Sequence, residues 1–90
     1  MIDFLKESEQ HQHSNGGGWV ANTAIEDKTA YVGPNAQVYG NAWVSGNARV
    51  SGDALVSGDA RVYGNARVYG NARVYGNAWV FGNAQVYVGK

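Results

Sequence analysis

Between residues 36 and 83 the chain repeats one six-residue phrase without a gap. The phrase is Ala-x-Val-Tyr/Ser-Gly-Asn/Asp, and units in the same frame extend the array to residue 30 on one side and to residue 87 on the other. A unit this short cannot bury an apolar face by itself, so the units must stack on one another. The repeat therefore predicts a solenoid, and it constrains the fold much more than it constrains the activity.

Each unit has the pattern of a short strand followed by a corner. Ala and Val are two residues apart, so an extended backbone points both side chains to the same side. The Gly-Asn or Gly-Asp pair that follows consists of residue types that turn a chain at little steric cost. Three corners close a triangle, which makes one coil of eighteen residues. Successive coils are expected to pair as parallel strands about 4.8 Å apart.

This geometry predicts four coils, over residues 18–35, 36–53, 54–71 and 72–89. The inward column consists of valines, namely Val20, Val32, Val38, Val44, Val50, Val56, Val62, Val68, Val74, Val80 and Val86. Glu26 occupies an inward slot and breaks this column. Because an unpaired buried carboxylate is costly, we expect a local bulge that turns Ile25 inward instead. The alternative leaves Glu26 near the open end, within reach of solvent or Lys28.

The repeat resembles the hexapeptide repeat of left-handed parallel β-helix proteins, which have an aliphatic residue at one inward site and a small residue two positions earlier. The similarity covers residues 18–89. It implies an all-β fold, a single-stranded left-handed parallel β-helix shaped as a triangular prism. A right-handed triangular β-helix, as in bactofilins, is the alternative. The near-identical units that follow Gly-Gly-Gly-Trp-Val also resemble small hexapeptide-array proteins of phages and prophages.

The chain divides into a leader or cap over residues 1–17 and the β-helix over residues 18–90. Ile2, Phe4 and Leu5 lie among charged residues and predict two turns of helix, with Asp3 near its start. We expect this segment to cover an open end of the prism, where unpaired strand edges invite aggregation. Docking to a partner is the alternative, and a mobile leader in place of the helix is also compatible with the sequence.

The two histidines of the chain, His11 and His13, both lie in the leader. An extended His-x-His places both imidazoles on one side, so a trimer would offer six nitrogens to one metal ion on its axis. The pattern resembles the metal-binding tip motif of phage spikes. The neighbouring glutamines and the glycine triplet that follows favour a linker or cap instead, so we predict no metal and keep the two histidines as candidates.

Composition and charge exclude several classes of function. The seven basic and seven acidic residues balance, and the coil map spreads the four arginines of the array over three faces, which does not favour nucleic-acid binding. Without cysteine there is no disulfide framework. Without a long apolar run or a basic start we expect neither a membrane span nor a signal peptide. We therefore expect a cytoplasmic protein of a bacterium or of an infected bacterial cell.

The exposed residues sort into three faces, of which face three is the most aromatic. Its members are Ile25, Trp43, Arg61 and Trp79 in one column and Asp27, Ser45, Tyr63 and Phe81 beside it. Contiguous aromatic surface with an arginine is typical of partner sites, so we predict an interface formed by Trp43, Arg61, Tyr63, Trp79 and Phe81. The alternative is that these flat side chains merely stack along the solenoid.

The array lacks the groups that catalysis needs. Hexapeptide acyltransferases usually present a histidine and build a cleft from insertions, and residues 30–89 contain neither. Ser45, Ser51 and Ser57 fall on three different faces with no histidine beside them, so no hydrolase triad is available. We predict no enzymatic activity and no cofactor.

These observations predict a non-catalytic, self-associating structural or binding module, and the resemblance implies a phage source. A four-coil prism with open ends buries a small core, which favours a homo-oligomer. The resemblance implies a trimer, because hexapeptide prisms often pack about a threefold axis. Two alternatives stay open. One is a phage inhibitor of a bacterial defence protein, or a sponge that binds a small nucleotide at subunit seams; the other is an acyltransferase-like remnant.

Overall fold

A computed structural model describes Ile2 and residues 5–89, in which the repeating units wind into an all-β parallel solenoid of about four turns. A 3-10 helix, Glu7–Glu9, precedes the strands. Strand β1 (Gln10–Gln12) lies before the first coil, and strand β2 (Trp19–Ala21) begins it. The strands that follow are β3 (Ile25–Glu26), β4 (Tyr31–Val32), β5 (Gln37–Val38), β6 (Trp43–Val44), β7 (Arg49–Val50), β8 (Leu55–Val56), β9 (Arg61–Val62), β10 (Arg67–Gly70), β11 (Arg73–Val74), β12 (Trp79–Val80) and β13 (Gln85–Val88).

The strands form three sheets, one for each face of the prism. Face one contains β4, β7, β10 and β13, face two contains β1, β2, β5, β8 and β11, and face three contains β3, β6, β9 and β12. Within each sheet residue i pairs with residue i + 18, as Gln37 pairs with Leu55 and Leu55 with Arg73. The predicted all-β solenoid and its eighteen-residue coil are confirmed. The left-handed winding stays a prediction from the resemblance.

The alanines and valines of the repeat form one continuous core. The inward valines from Val20 to Val68 have no exposed surface, and neither do the alanines from Ala30 to Ala72. Exposure then rises to 4% at Val74 and 6% at Val80, and Val86 is only partly buried, because these valines belong to the last coil of the described residues. Burying a valine side chain contributes about 1.5–3 kcal/mol. The column therefore contributes substantially to the free energy that holds the coils together.

The predicted bulge at Glu26 is wrong. β3 keeps the frame of the repeat, with Ile25 opposite Trp43 and Glu26 opposite Val44. Ile25 is 48% exposed, whereas the Glu26 side chain is 15% exposed and points to the interior. The reason is that the leader covers this end of the prism and brings His11, rather than Lys28, to the Glu26 carboxylate. A partnered carboxylate does not need the bulge that an unpaired one would have required.

The leader is more ordered than the linker interpretation predicted. β1 pairs antiparallel with β2, so it continues the sheet of face two beyond the first coil. The Gln10 side chain accepts a hydrogen bond from the Ile2 amide and donates one to the Ile2 carbonyl, and Ile2 is fully buried. Asp3 and Phe4, which belong to the predicted helix, lie outside the described residues. The unpaired edge of β2 explains why the leader forms a strand here.

The corners depend on glycine. At Gly58 the φ angle is +65°, which side chains with a Cβ rarely adopt. A Cβ on Gly58 would also lie 3.0 Å from the Gly76 amide nitrogen in the next coil. Gly76 has nearly the same φ of +64°, yet a Cβ there meets no atom of the described residues within 4 Å. The two positions thus separate the conformational role of the corner glycine from its packing role.

We expect Gly76→Ala to lower the free energy of unfolding by about 1–2 kcal/mol, the cost of the left-handed conformation alone. Gly58→Ala should cost more, because the backbone of the neighbouring coil must also move away from the new methyl group. Urea unfolding followed by circular dichroism measures both variants. Equal losses in the two variants would show that contact between coils at the corners does not require glycine.

Candidate functional site

Face three carries a vertical column in which an arginine lies between two indoles. β9 pairs in register with β6 on one side and with β12 on the other, so Arg61 lies opposite both Trp43 and Trp79. The Arg61 Cζ atom is 4.7 Å from the centre of the Trp43 ring and 5.3 Å from that of Trp79. Both distances are within the range of a cation–π contact, worth about 0.5–1 kcal/mol at an exposed site. The vertical register of these three side chains, expected from the repeat, is confirmed.

A second aromatic column runs beside the first. The Tyr63 ring stacks on the Phe81 ring with centroids 5.4 Å apart and an angle of 12° between the planes. Tyr63 also meets Trp79 edge to face at 6.3 Å, which joins the two columns. The sequence predicted the columns but not this cross-contact, because it depends on side-chain rotamers. The five predicted residues therefore form one continuous surface.

This surface is exposed even though its members contact one another. Trp79 is 56% exposed, Phe81 is 54% exposed and Trp43 is 41% exposed. Within the described residues no carboxylate lies within ion-pair distance of Arg61, whose guanidinium instead contacts the two indole faces. The stacking fixes the side chains while leaving their outer edges to solvent. The arrangement can bind a flat or apolar partner at little further cost in side-chain order.

Face one carries a different kind of column. Arg49 and Arg67 lie opposite each other in the pair formed by β7 and β10, and both are exposed. Like charges placed directly opposite are destabilising, and no carboxylate of the described residues is within ion-pair distance of either. The Arg49 Cζ atom lies 5.8 Å from the centre of the Tyr31 ring, near the outer limit of a cation–π contact. The shallow groove around the two arginines is lined by amide side chains, those of Asn47, Asn65, Asn83 and Gln85.

The leader holds a polar cluster at the roofed end of the prism. His11 Nε2 lies 2.7 Å from the Glu26 carboxylate, and His11 Nδ1 lies 2.6 Å from Asn22 Oδ1. The side-chain Nδ2 of Asn22 donates to the Ser8 carbonyl, which orients Oδ1 towards His11. Both imidazole nitrogens thus face acceptors, and only the imidazolium has two N–H donors. The bond to Glu26, followed by that to Asn22, raises the pKa of His11 above its usual value.

His13 lies beside this cluster and is 4% exposed. Its Nε2 atom lies 2.7 Å from the Ala30 carbonyl oxygen and must therefore donate, while Nδ1 is 3.6 Å from the Glu26 carboxylate. The prediction that His11 and His13 point to one side holds, but their nitrogens are directed at protein acceptors. Among the described residues no group of three or more histidines and acidic residues is placed to hold a metal ion.

The sequence analysis missed the link between Glu26 and His11. The signal was nevertheless present, in a carboxylate at an inward slot of the first coil and a histidine in the segment before it. What the sequence lacks is the antiparallel return of the leader, which brings two residues fifteen positions apart to within hydrogen-bonding distance. The link anchors the leader to the coil.

A comparison with known families identifies the repeat. The YdcK beta solenoid repeat matches five overlapping segments, residues 36–49, 42–58, 48–64, 60–74 and 72–87, which together cover more than half of the chain. The chain belongs to this family. No curated protein and no solved structure matches it. A repeat solenoid of this kind fits a structural or binding module, and no helix within the described residues is long and apolar enough to cross a membrane.

The raised pKa of His11 predicts that stability depends on pH. A group whose pKa is higher in the folded state stabilises the fold fully below its unfolded value, about 6.5, and loses this contribution as pH rises through the folded value. We therefore expect the free energy of unfolding to fall as pH rises above about 6.5. Urea unfolding at a series of pH values measures it.

His11→Gln is the control for this prediction, because it removes the titrating group and leaves His13 and Glu26 in place. The fall in stability above neutral pH should be smaller in the variant than in the parent chain. An identical pH profile in the two proteins would show that the imidazolium of His11 does not stabilise the cap.

Proposed function

We propose that the protein is a non-catalytic, self-associating structural or binding module, with the aromatic columns of face three as its contact surface. The observation that carries the proposal is the exposed surface of Trp43, Arg61, Tyr63, Trp79 and Phe81. Trp, Tyr and Arg are the residues that most often dominate binding energy at interfaces. Exposed apolar surface of this extent in one patch is typical of a partner site.

The preferred partner in this proposal is the same chain, in a trimer of prisms packed side by side. Face three is built on two-residue strands joined in a parallel sheet, so its side chains stand in straight columns on an even surface. Such a surface packs against another face of the same shape over its whole length. A phage or prophage source and a bacterial cytoplasmic location belong to the same proposal and rest on the resemblance of the repeat alone.

Two features support a non-catalytic role. Both histidines are held in the cap, where their nitrogens are directed at Glu26, Asn22 and Ala30. The serines of the array follow strands of three different sheets, Ser45 after β6, Ser51 after β7 and Ser57 after β8. A nucleophile and a base within hydrogen-bonding distance are the minimum for hydrolysis, and this arrangement keeps them apart.

A second candidate function is the binding of a small nucleotide on face one. The observation that favours it is the pair of in-register guanidinium groups of Arg49 and Arg67, whose mutual repulsion an anion would relieve. Next to them the rings of Tyr69 and Tyr87 pack together with centroids 4.8 Å apart and an angle of 33° between the planes, which offers an aromatic surface to a base. A bacterial protein captured by face three is the corresponding candidate for an inhibitor role.

Self-association through face three predicts that Trp79→Ala and Trp43→Ala each weaken the assembly by about 2 kcal/mol, roughly a thirtyfold rise in the dissociation constant. The physical reason is the loss of a desolvated indole and of one side of the sandwich around Arg61. Sedimentation equilibrium over a range of concentrations measures the constant.

Tyr75→Ala is the matched control, because Tyr75 is 69% exposed in the last coil but follows a strand of face two. It should leave the association unchanged. If both tryptophan variants associate as tightly as the parent chain, the columns serve only to stack along the solenoid, and the proposed contact surface is wrong.

Nucleotide binding on face one predicts that millimolar ADP raises the melting temperature of the parent chain, since a ligand that binds only the folded state stabilises it by mass action. The double variant Arg49→Gln/Arg67→Gln should melt at the same temperature with and without ADP. Inorganic phosphate, tested in parallel, separates binding of the phosphate from stacking of the base. An equal shift in the parent and the double variant would contradict a site at this column.

A further inference from the structure

Face two carries two tyrosines that are separated by a serine. Tyr39, Ser57 and Tyr75 follow the inward valines of β5, β8 and β11, which pair in register in three successive coils. Where aromatic residues follow each other in adjacent coils, as Tyr69 and Tyr87 do on face one, the ring centroids lie 4.8 Å apart. Tyr39 and Tyr75 are two coils apart, so their Cα atoms differ in height by roughly 10 Å. Ser57 therefore leaves the width of one ring between them.

The two tyrosines border an open cleft of about 460 Å³, which Leu55, Ser57 and Arg73 also line. Small-molecule sites typically have volumes of about 300–1,000 Å³. Leu55 is partly buried and gives the cleft an apolar wall, at an outward position that holds glutamine, tryptophan or arginine in the other units of residues 36–87. A ring held midway between the tyrosines would lie about 5 Å from each, a normal centroid distance for aromatic pairs. The cleft is therefore suited to a planar aromatic ring.

Arg73 brings a positive charge to the cleft. It lies opposite Leu55 in the pair formed by β8 and β11, and it is exposed. Within the described residues no carboxylate lies within ion-pair distance of Arg73, including those of Asp53 and Asp59 at the corners that flank β8. A guanidinium binds a carboxylate through two parallel hydrogen bonds. The charge of Arg73 therefore favours a ligand that carries an anionic group beside its ring.

We propose that the cleft on face two binds a small planar aromatic carboxylate, whose ring lies between Tyr39 and Tyr75 and whose carboxylate pairs with Arg73. One guanidinium lines the cleft, which matches a single carboxylate. The arginine pair of face one instead matches a more highly charged phosphate. The site goes beyond the proposed function, because it needs neither the contact surface of face three nor the arginines of face one.

Naphthoate is the probe for this site, and naphthamide is its uncharged counterpart of nearly the same shape. In an amide NMR titration of the parent chain, naphthoate should shift the signals of Ser57 and Tyr75. It should bind about tenfold more tightly than naphthamide, because only the carboxylate pairs with the guanidinium. Arg73→Gln should remove this difference by weakening naphthoate alone. No binding of naphthoate, or equal dissociation constants for the two compounds in the parent chain, would overturn the proposal.

Ser57→Tyr fills the cleft with the residue that the chain itself uses at this position in the coils on either side. The new ring should pack between its neighbours, so we expect a melting temperature no lower than that of the parent chain. The naphthoate dissociation constant should rise at least about tenfold. Ser51→Tyr is the matched control, because it adds the same ring on face one and should leave naphthoate binding unchanged. Undiminished binding by folded Ser57→Tyr would contradict the site.

Tyr75→Ala provides a second test that does not depend on the folding of Ser57→Tyr. The Tyr75 side chain is 69% exposed, so its removal leaves the core intact while it takes away one side of the cleft. Naphthoate should bind at least about tenfold more weakly to this variant. Arg49→Gln/Arg67→Gln should bind naphthoate as the parent chain does. The reverse pattern would place the ligand on face one and refute the cleft on face two.

The outcome is separate from the test of face three. Trp43→Ala and Trp79→Ala should alter self-association and leave the naphthoate dissociation constant unchanged, whereas Tyr75→Ala should alter naphthoate binding and leave self-association unchanged. Loss of naphthoate binding in both tryptophan variants, with Tyr75→Ala unaffected, would show that the ring binds to the columns of face three. That result would overturn the face-two site and leave the proposed contact surface to be judged by its own test.

Discussion

Parallel pairing of each residue with the residue eighteen positions later is the constraint on which the rest of this structure depends. It places equivalent repeat positions above one another, so a residue type that recurs in the repeat forms a column through the coils. Val and Ala fill the interior in this way, and glycine occupies the corners at positive φ. A surface feature of this solenoid is therefore formed by a column of equivalent positions. It extends over as many coils as keep the same type of residue at that position.

The same constraint explains how a small solenoid acquires distinct faces. The position before each inward valine is free to vary, because its side chain points to solvent. On face three this position holds Trp43, Arg61 and Trp79, which attract one another, and on face one it holds Arg49 and Arg67, which repel. In the first column the positive charge already contacts aromatic rings of the same chain. In the second column an anionic ligand would relieve the repulsion between the two arginines.

A solenoid has two ends, and in this chain they differ in chemistry. The N-terminal end is roofed by a leader that buries Ile2, pairs β1 with β2 and joins His11 to Glu26. At the other end of the described residues Ala78 and Ala84 are exposed, whereas the equivalent Ala60 and Ala66 of the coil before are buried. The association that we propose would use surfaces that the repeat does not cover internally, namely its outward columns.

The sequence by itself determined the all-β solenoid, the eighteen-residue coil, the inward valines and the register of Trp43, Arg61 and Trp79, because a strict period places equivalent positions of successive coils above one another. Only the tertiary structure decided the path of the leader, the inward position of Glu26 and the contact of Tyr63 with Trp79. The leader lies outside the repeat, so no periodicity predicts its antiparallel return to β2. Glu26 was wrongly expected to turn outward, because its partner comes from that non-repeating segment and from no neighbouring coil.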